Sequence, residues 1–263
     1  MKRQGSWDME RKVKLNIAGG GIFSKMMLGV QNIESDKLDV QDCYFSTVDH
    51  RALNEAQFNP FNYILDQTLS QDHIDFQCHF QPSYNSKNHS GKGQIENSSE
   101  YLRLKDIASG LQYQEDLIQI IDSHAKILDT DTVGVHIRMC DMNIYHASDY
   151  GKLMLDDYIK AITDETDSGS RVFVASDNLE SLEKLRALFG SRLLYVDGLM
   201  RAKTEAEDTL NLQIDNLNNP TLWKEAFLEM LLLSKCSKLI CRTSNLANMA
   251  IISSNTIKKI IML

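Results

Sequence analysis

The chain has 263 residues, 43% of them hydrophobic, and a net charge of −8 from 28 basic and 36 acidic side chains. Such a length and composition support one large or two moderate α/β units with a sizeable core. The acidic balance excludes a general binder of nucleic acid or anionic membrane, so any anion site has to be a local pocket. Five cysteines without a CxxC pair are neither a disulfide framework nor a zinc site, and they fit a reducing cytoplasm. The polar start MKRQGSWDMERK, and the lack of any apolar run near the ~18 residues of a bilayer span, predict no signal peptide and no transmembrane segment.

Val13-Lys-Leu-Asn-Ile17 alternates as a strand does, Gly19-Gly20-Gly21 follows as a turn, and apolar positions then recur at helical spacing from Phe23 to Ile33. Strand, glycine turn and helix are the first half of a βαβ unit. Ile74-Asp-Phe-Gln-Cys-His-Phe80 reads as a strand within a turn-broken stretch, and Ser83 to Ser99, rich in Asn, Ser and Gly, reads as a surface loop. From Tyr101 to Leu128 the pattern predicts two helices broken near Gly110.

After Asp129, short apolar runs alternate with helical segments at the spacing of repeated βα units. Strands are predicted at Val133–Arg138, Arg171–Ser176, Arg192–Val196, Lys238–Arg242 and Ile257–Met262. Helices are predicted near Leu155–Ile162, Leu179–Phe189, Thr221–Ser234 and Ser244–Ile252. Right-handed crossovers turn this series into a Rossmann-like unit, a parallel sheet whose strand ends gather along one edge.

Four of those strand ends deliver polar residues to that edge: His136 and Arg138, Ser176-Asp177-Asn178, Asp197-Gly198, and Arg242-Thr243-Ser244-Asn245. His136 and Arg138 are two residues apart and share a face of their strand. An arginine at the C-terminal end of a strand in an open α/β sheet suggests a bound anion, above all a phosphate. The last group opens a helix, so the Thr243 and Ser244 hydroxyls and the free backbone N–H groups make an anion cradle. Singly, Asp177 and Ser244 read as helix N-caps; together the four ends describe a pocket for a nucleoside diphosphate. Glu229 is the only charge between Ala226 and Lys235, in an apolar helix where a carboxylate needs a partner. It reads either as a helix-edge salt bridge or as the acceptor of the N1–H and 2-amino donors of guanine, a pair that adenine does not offer.

In this order and at this spacing, GVHIRMCD, RVFVASDN and LLLSKCSKLICRTSN resemble the three peptide motifs of the α1,2/α1,6- and protein O-fucosyltransferase superfamily, over roughly the last half of the chain. Gly20 and Gly21, in the run that begins at Gly19, are loosely similar to the first glycine loop of that family, which borders the donor. The resemblance implies an α/β GT-B fold of two facing Rossmann-like domains, here an acceptor-side domain at 1–125 and a nucleotide-sugar domain at 126–263 with a parallel sheet. It implies inverting, metal-independent transfer of fucose from the donor substrate GDP-fucose to a glycan hydroxyl. Transfer of another GDP-hexose, or a catalytically silent GDP-binding module, are the alternatives.

Carried over residue by residue, Arg138 matches the arginine that binds the β-phosphate, where the leaving GDP develops charge. His136 and Glu229 match positions that hold guanine, Asp177 the acidic position of the second motif, and Ser244 a phosphate-binding serine of the third, with Thr243 beside it. Asp141 closes the first motif as a loop organiser. Two positions depart from the family. Met139 stands where several α1,6-type members have a second arginine, and ungapped counting puts His146 in the place of the carboxylate base, with Asp149 three residues on. An imidazole titrating near pH ~6.5 is able to deprotonate an acceptor hydroxyl; a solvated loop histidine is the other reading. Asp129-Thr130-Asp131 mimics a metal-binding DxD but precedes a strand, and the glycine run is not a GxGxxG fingerprint. No metal and no nicotinamide cofactor are expected; the expected acceptor is a small saccharide or a polysaccharide end, and nucleic acid is not an expected partner.

Overall fold

The computed structural model describes residues 13–18, 22–36, 38–48, 60–67, 74–77, 99–139, 152–204, 220–242 and 244–263. Among them are two parallel sheets. The first has β1 (Val13–Ala18) at its centre, flanked by β2 (Cys43–Val48) and β3 (Ile74–Gln77). Helix α1 (Ile22–Asp36) follows β1, as the pattern predicted, and Gly19 to Gly21 between them lie outside the described residues. Strand β2 carries no such signal. Its buried Cys43 and Phe45 alternate with polar residues over too short a span, and its start is set by a 3-10 turn in which Asp39 Oδ1 accepts from Gln41 N at 3.0 Å.

Helices α2 (Ser99–Ser109) and α3 (Glu115–Ala125) break at Gly110. A Cβ there would stand 2.5 Å from Val40 Cγ1, so the break is also a point of close packing.

The second sheet contains β4 (Val133–Ile137), β5 (Val172–Ser176), β6 (Leu193–Leu194), β7 (Lys238–Cys241) and β8 (Lys259–Met262), in the order β6-β5-β4-β7-β8. The five predicted strands are all present, and each is shorter than predicted. Every residue of β4 and β5 is buried, which is why these strands read as continuous apolar runs. The crossovers are α4 (Leu155–Glu165), α5 (Leu179–Phe189), α6 (Pro220–Ser234) and α7 (Asn245–Ile252). Helices α4 and α5 cover the face that carries Val133, Val135, Ile137 and Met139. The other face is covered by α6 and α7, so the sheet is doubly wound, and its order reverses between β4 and β7.

Helices α6 and α7 have a second set of neighbours. Helices α1 and α2 pack on α7, and α3 packs on α6. One apolar cluster therefore runs from Leu15 and Phe45, through Phe227, Leu232 and Met249, to Phe173 and Leu239. Phe23 and Phe227 stack within it with ring centroids 4.7 Å apart. No helix among the described residues is long and apolar enough to cross a membrane.

The turn between α6 and β7 presses on the middle of β4. A Cβ on Gly134 would lie 3.1 Å from Cys236 Cβ, Cys236 Sγ and Leu233 Cδ2. Gly134→Ala is expected to cost about 1–3 kcal/mol through overpacking, read as a lower urea midpoint. An unchanged midpoint would show that the turn gives way freely.

Candidate functional site

His136 and Cys241 are register partners, so the ends of β4 and β7 stand side by side where the strand order reverses. In open α/β sheets the crevice outside the strand ends opens at that point. Because Val133 to Met139 bury alternate side chains under α4 and α5, strand alternation assigns Gly134, His136 and Arg138 to the opposite face, that of α6 and α7. His136 is buried, and its Nδ1 lies 3.2 Å from Ser244 Oγ. The same hydroxyl caps α7, accepting from Ala247 N at 3.1 Å. A single oxygen thus joins the end of β4 to the positive end of a helix dipole. Arg138 follows, half-buried, one residue beyond β4.

Asp177 prolongs the pairing of β4 with β5 beyond the strand ends. Its N–H donates to Ile137 O, and its Oδ1 accepts from Met139 N, each at 3.4 Å. The N-cap of α5 is Asn178, whose Oδ1 accepts from Ser181 N at 2.7 Å, so the reading of Asp177 as an N-cap is corrected. Met139 itself is buried in the core under α4.

Glu229 has an ion-pair partner that the sequence reading did not name. Arg201 Nη2 donates to Glu229 Oε1 at 2.6 Å, with side-chain exposures of 5% and 10%. Gly198, at φ 77°, turns the chain back after β6 and Val196, a conformation that glycine adopts without strain. The returning segment then pairs with the end of β5: Ala202 N donates to Asp177 O at 2.9 Å, and Leu179 N to Ala202 O at 2.8 Å. Burial pushes the Glu229 carboxyl up to about 7; Arg201 opposes that rise, while the charges of Asp177 and Glu225 add to it. Glu229 and Asp177 are therefore electrostatic neighbours.

Two more groups lie under this edge, Arg242, which the sequence places at the end of β7 without a role, and Tyr158, which it does not mark. Arg242, the residue after β7, is among the largest fully buried side chains. Tyr158 of α4 is fully buried as well; burial raises the pKa of its phenol, and the charge of Arg242 opposes the rise. A charge ending an apolar strand is a visible signal for Arg242. Arg201 had none, because a polar loop arginine looks the same whether or not it is buried.

His136, Arg138, Asp177 and Ser244 thus gather at one sheet edge, with Glu229 coupled to Asp177. Gly20, Gly21, Asp141, His146 and Thr243 lie outside the described residues. At the opposite end of β4, Asp129 Oδ1 accepts from Thr132 Oγ1 at 2.7 Å and from Asp131 N at 3.2 Å. The Asp129-Thr130-Asp131 segment is a turn. Among the described residues no group of three or more His, Cys, Asp or Glu is placed to hold a metal ion.

No protein-family model matches the chain, and no curated protein matches it. Solved structures do. The NodZ alpha-1,6-fucosyltransferase co-crystallized with GDP aligns at 14% identity and a TM-score of 0.50, covering 91% of this chain and 92% of its own. FUT1 of Arabidopsis thaliana, in complex with GDP, aligns at 11% identity and a TM-score of 0.48, covering 98% of this chain and 71% of its own. POFUT1 in complex with GDP aligns at 8% identity and a TM-score of 0.45, covering 96% of this chain and 98% of its own. The NodZ alignment shows that the chain shares the fold of that enzyme along most of its length.

Ser244→Ala removes both the α7 cap and the contact with His136. The expected cost is ~1 kcal/mol in urea unfolding, the usual worth of an N-cap side chain. A loss within error of zero would mean that the hydroxyl does not cap the helix in solution.

Proposed function

We propose that this chain is a glycosyltransferase that moves fucose from GDP-fucose to a glycan hydroxyl, with inversion and without a metal. Residues 126–263 hold the nucleotide sugar, residues 1–125 form the acceptor side, and Gly20 and Gly21 border the donor from that side. The observation that carries this reading is the junction of His136 with Ser244 at the reversal of strand order, two residues before Arg138. Three ordered motifs that resemble the fucosyltransferases and a fold shared with NodZ, which was co-crystallized with GDP, supply the donor.

In the proposed reaction an acceptor hydroxyl oxygen attacks the anomeric carbon of fucose, and the bond from that carbon to the β-phosphate oxygen breaks. Arg138 takes the negative charge that develops on the departing GDP, and the α7 N-terminus, with Thr243 and Ser244, adds its partial positive charge. The guanidinium and the helix dipole do the work that a divalent cation does in other transferases. His136 and Glu229 hold the guanine, Asp177 keeps the β4 and β5 ends in register, and His146 accepts the acceptor's proton. The acceptor is a small saccharide or the end of a polysaccharide.

One observation favours a second reading. Met139 is buried in the core, so the position of the family's second arginine presents nothing to the crevice. A catalytically silent GDP-binding module is the result if no other group replaces it. Such a module binds GDP and turns over no donor with any acceptor.

A bound ligand stabilises the fold by mass action, so thermal shift against GDP, ADP and UDP tests the nucleotide. GDP is expected to give the largest shift, undiminished in EDTA; equal shifts for the three would end the guanine reading. Arg138→Ala should lower transfer by about 10²-fold or more while leaving the urea midpoint nearly unchanged. Equal losses in both would make Arg138 a structural residue.

A further inference from the structure

Glu229 sits in a wall of apolar side chains, yet its carboxylate is gripped from outside its own helix. Residues 197–204 form a strap held at several points. Ala202 is bridged to Asn178, Met200 N donates to Glu225 Oε2 at 2.9 Å, and Arg201 donates to Val196 O at 3.2 Å as well as to Glu229. The Arg201 side chain is 5% exposed, so water competes little for the ion pair. The charged groups around the carboxylate are Arg201 from the strap, Asp177 from the end of β5, and Glu225 one turn earlier on α6. Among the described residues, one cation therefore stands with three acids.

From this geometry we infer that Arg201 is the positioning residue of the base subsite: it fixes Glu229 as a charged, immobile acceptor that distinguishes guanine from bases without a 2-amino group. The inference rests on the reading of Glu229 as a guanine contact. A carboxylate offers about four acceptor positions, of which the ion pair takes one on Oε1 and leaves Oε2 outside it. The N1–H and 2-amino group of guanine need two acceptors. A protonated carboxyl supplies one acceptor fewer and an unmatched donor, so the charge state decides the specificity. With Arg201 in place the carboxyl titrates at about 7, within reach of neutral pH; once the guanidinium is gone, burial above all, and then the charges of Asp177 and Glu225, hold it higher. Arg201 thus acts on the nucleotide through Glu229, without touching it.

The test is calorimetric titration of the full chain with GDP, with inosine diphosphate, which lacks only the 2-amino group, and with ADP. Wild type, Arg201→Met, Arg201→Lys and Glu229→Gln are compared between pH 6 and pH 8. Wild type should prefer GDP over inosine diphosphate by about tenfold or more, the worth of a hydrogen bond to a charged group, and the preference should grow as pH rises through that range. Arg201→Met should lose the preference at pH 7 and regain part of it at pH 8, with the weak ADP affinity unchanged; Arg201→Lys should restore most of it. If Arg201→Met lowers the unfolding temperature but keeps the wild-type preference and its pH profile, the residue is structural and the inference is overturned. If Arg201→Met does not fold, an Arg201→Lys protein or a wild type whose preference is flat with pH overturns it equally. Failure of the underlying reading looks different: wild type then binds no GDP, or Glu229→Gln retains the preference.

Discussion

From Phe227 to Ser234 helix α6 is covered on every side, and the rest of the molecule is arranged around that burial. Phe227, Leu228, Met230, Leu231, Leu232 and Leu233 are all buried, because the helix lies between the five-stranded sheet and the helices that follow β1 and β3. A helix that is apolar all round is stable only as such an inner layer. Each of its faces has to be matched by another element, which draws α1, α2 and α3 onto the same layer as α7. Glu229 is the exception within it, and the exception is answered by a chain segment 28 residues away in sequence. Local rules broken inside a consistent core are where specific chemistry is concentrated.

How much of this was legible in the sequence depended on the range of the interaction involved. Parallel strands buried on both faces appear as apolar runs, so β4, β5 and β7 were found with errors of a residue or two at their ends. The helix break at Gly110 was equally plain. Strand β2 was missed because CYFSTV is too short and too mixed in polarity to establish a period of two. Asp177 and Asn178 are both good N-caps by type, and only the backbone decides between neighbours.

The candidate site divides in the same way. Spacing and strand direction put His136 and Arg138 at the strand-end edge of the sheet, and the helix start marks Ser244. That His136 meets Ser244 is a statement about strand order, since the two are 108 residues apart. Arg201 lies further still from sequence reasoning. Its burial follows from a bridge between Ala202 and the end of β5, and the turn at Gly198 that makes the bridge is one of many glycine turns a sequence offers. In a chain of net charge −8, this edge sets the arginines at 138, 201 and 242 beside the acids Asp177, Glu225 and Glu229.

The stacking of Phe23 on Phe227 bears on how the molecule is able to move. In a protein of two separately packed lobes, a substrate can be enclosed by rotating one lobe over the other about a hinge. Here the interface that would have to slide is part of the core, closed by aromatic rings and by the α1–α7 and α3–α6 packing. Close-packed interiors rearrange between discrete states and resist continuous shear. Turning one sheet over the other would therefore have to break that core, and the two sheets keep their mutual orientation.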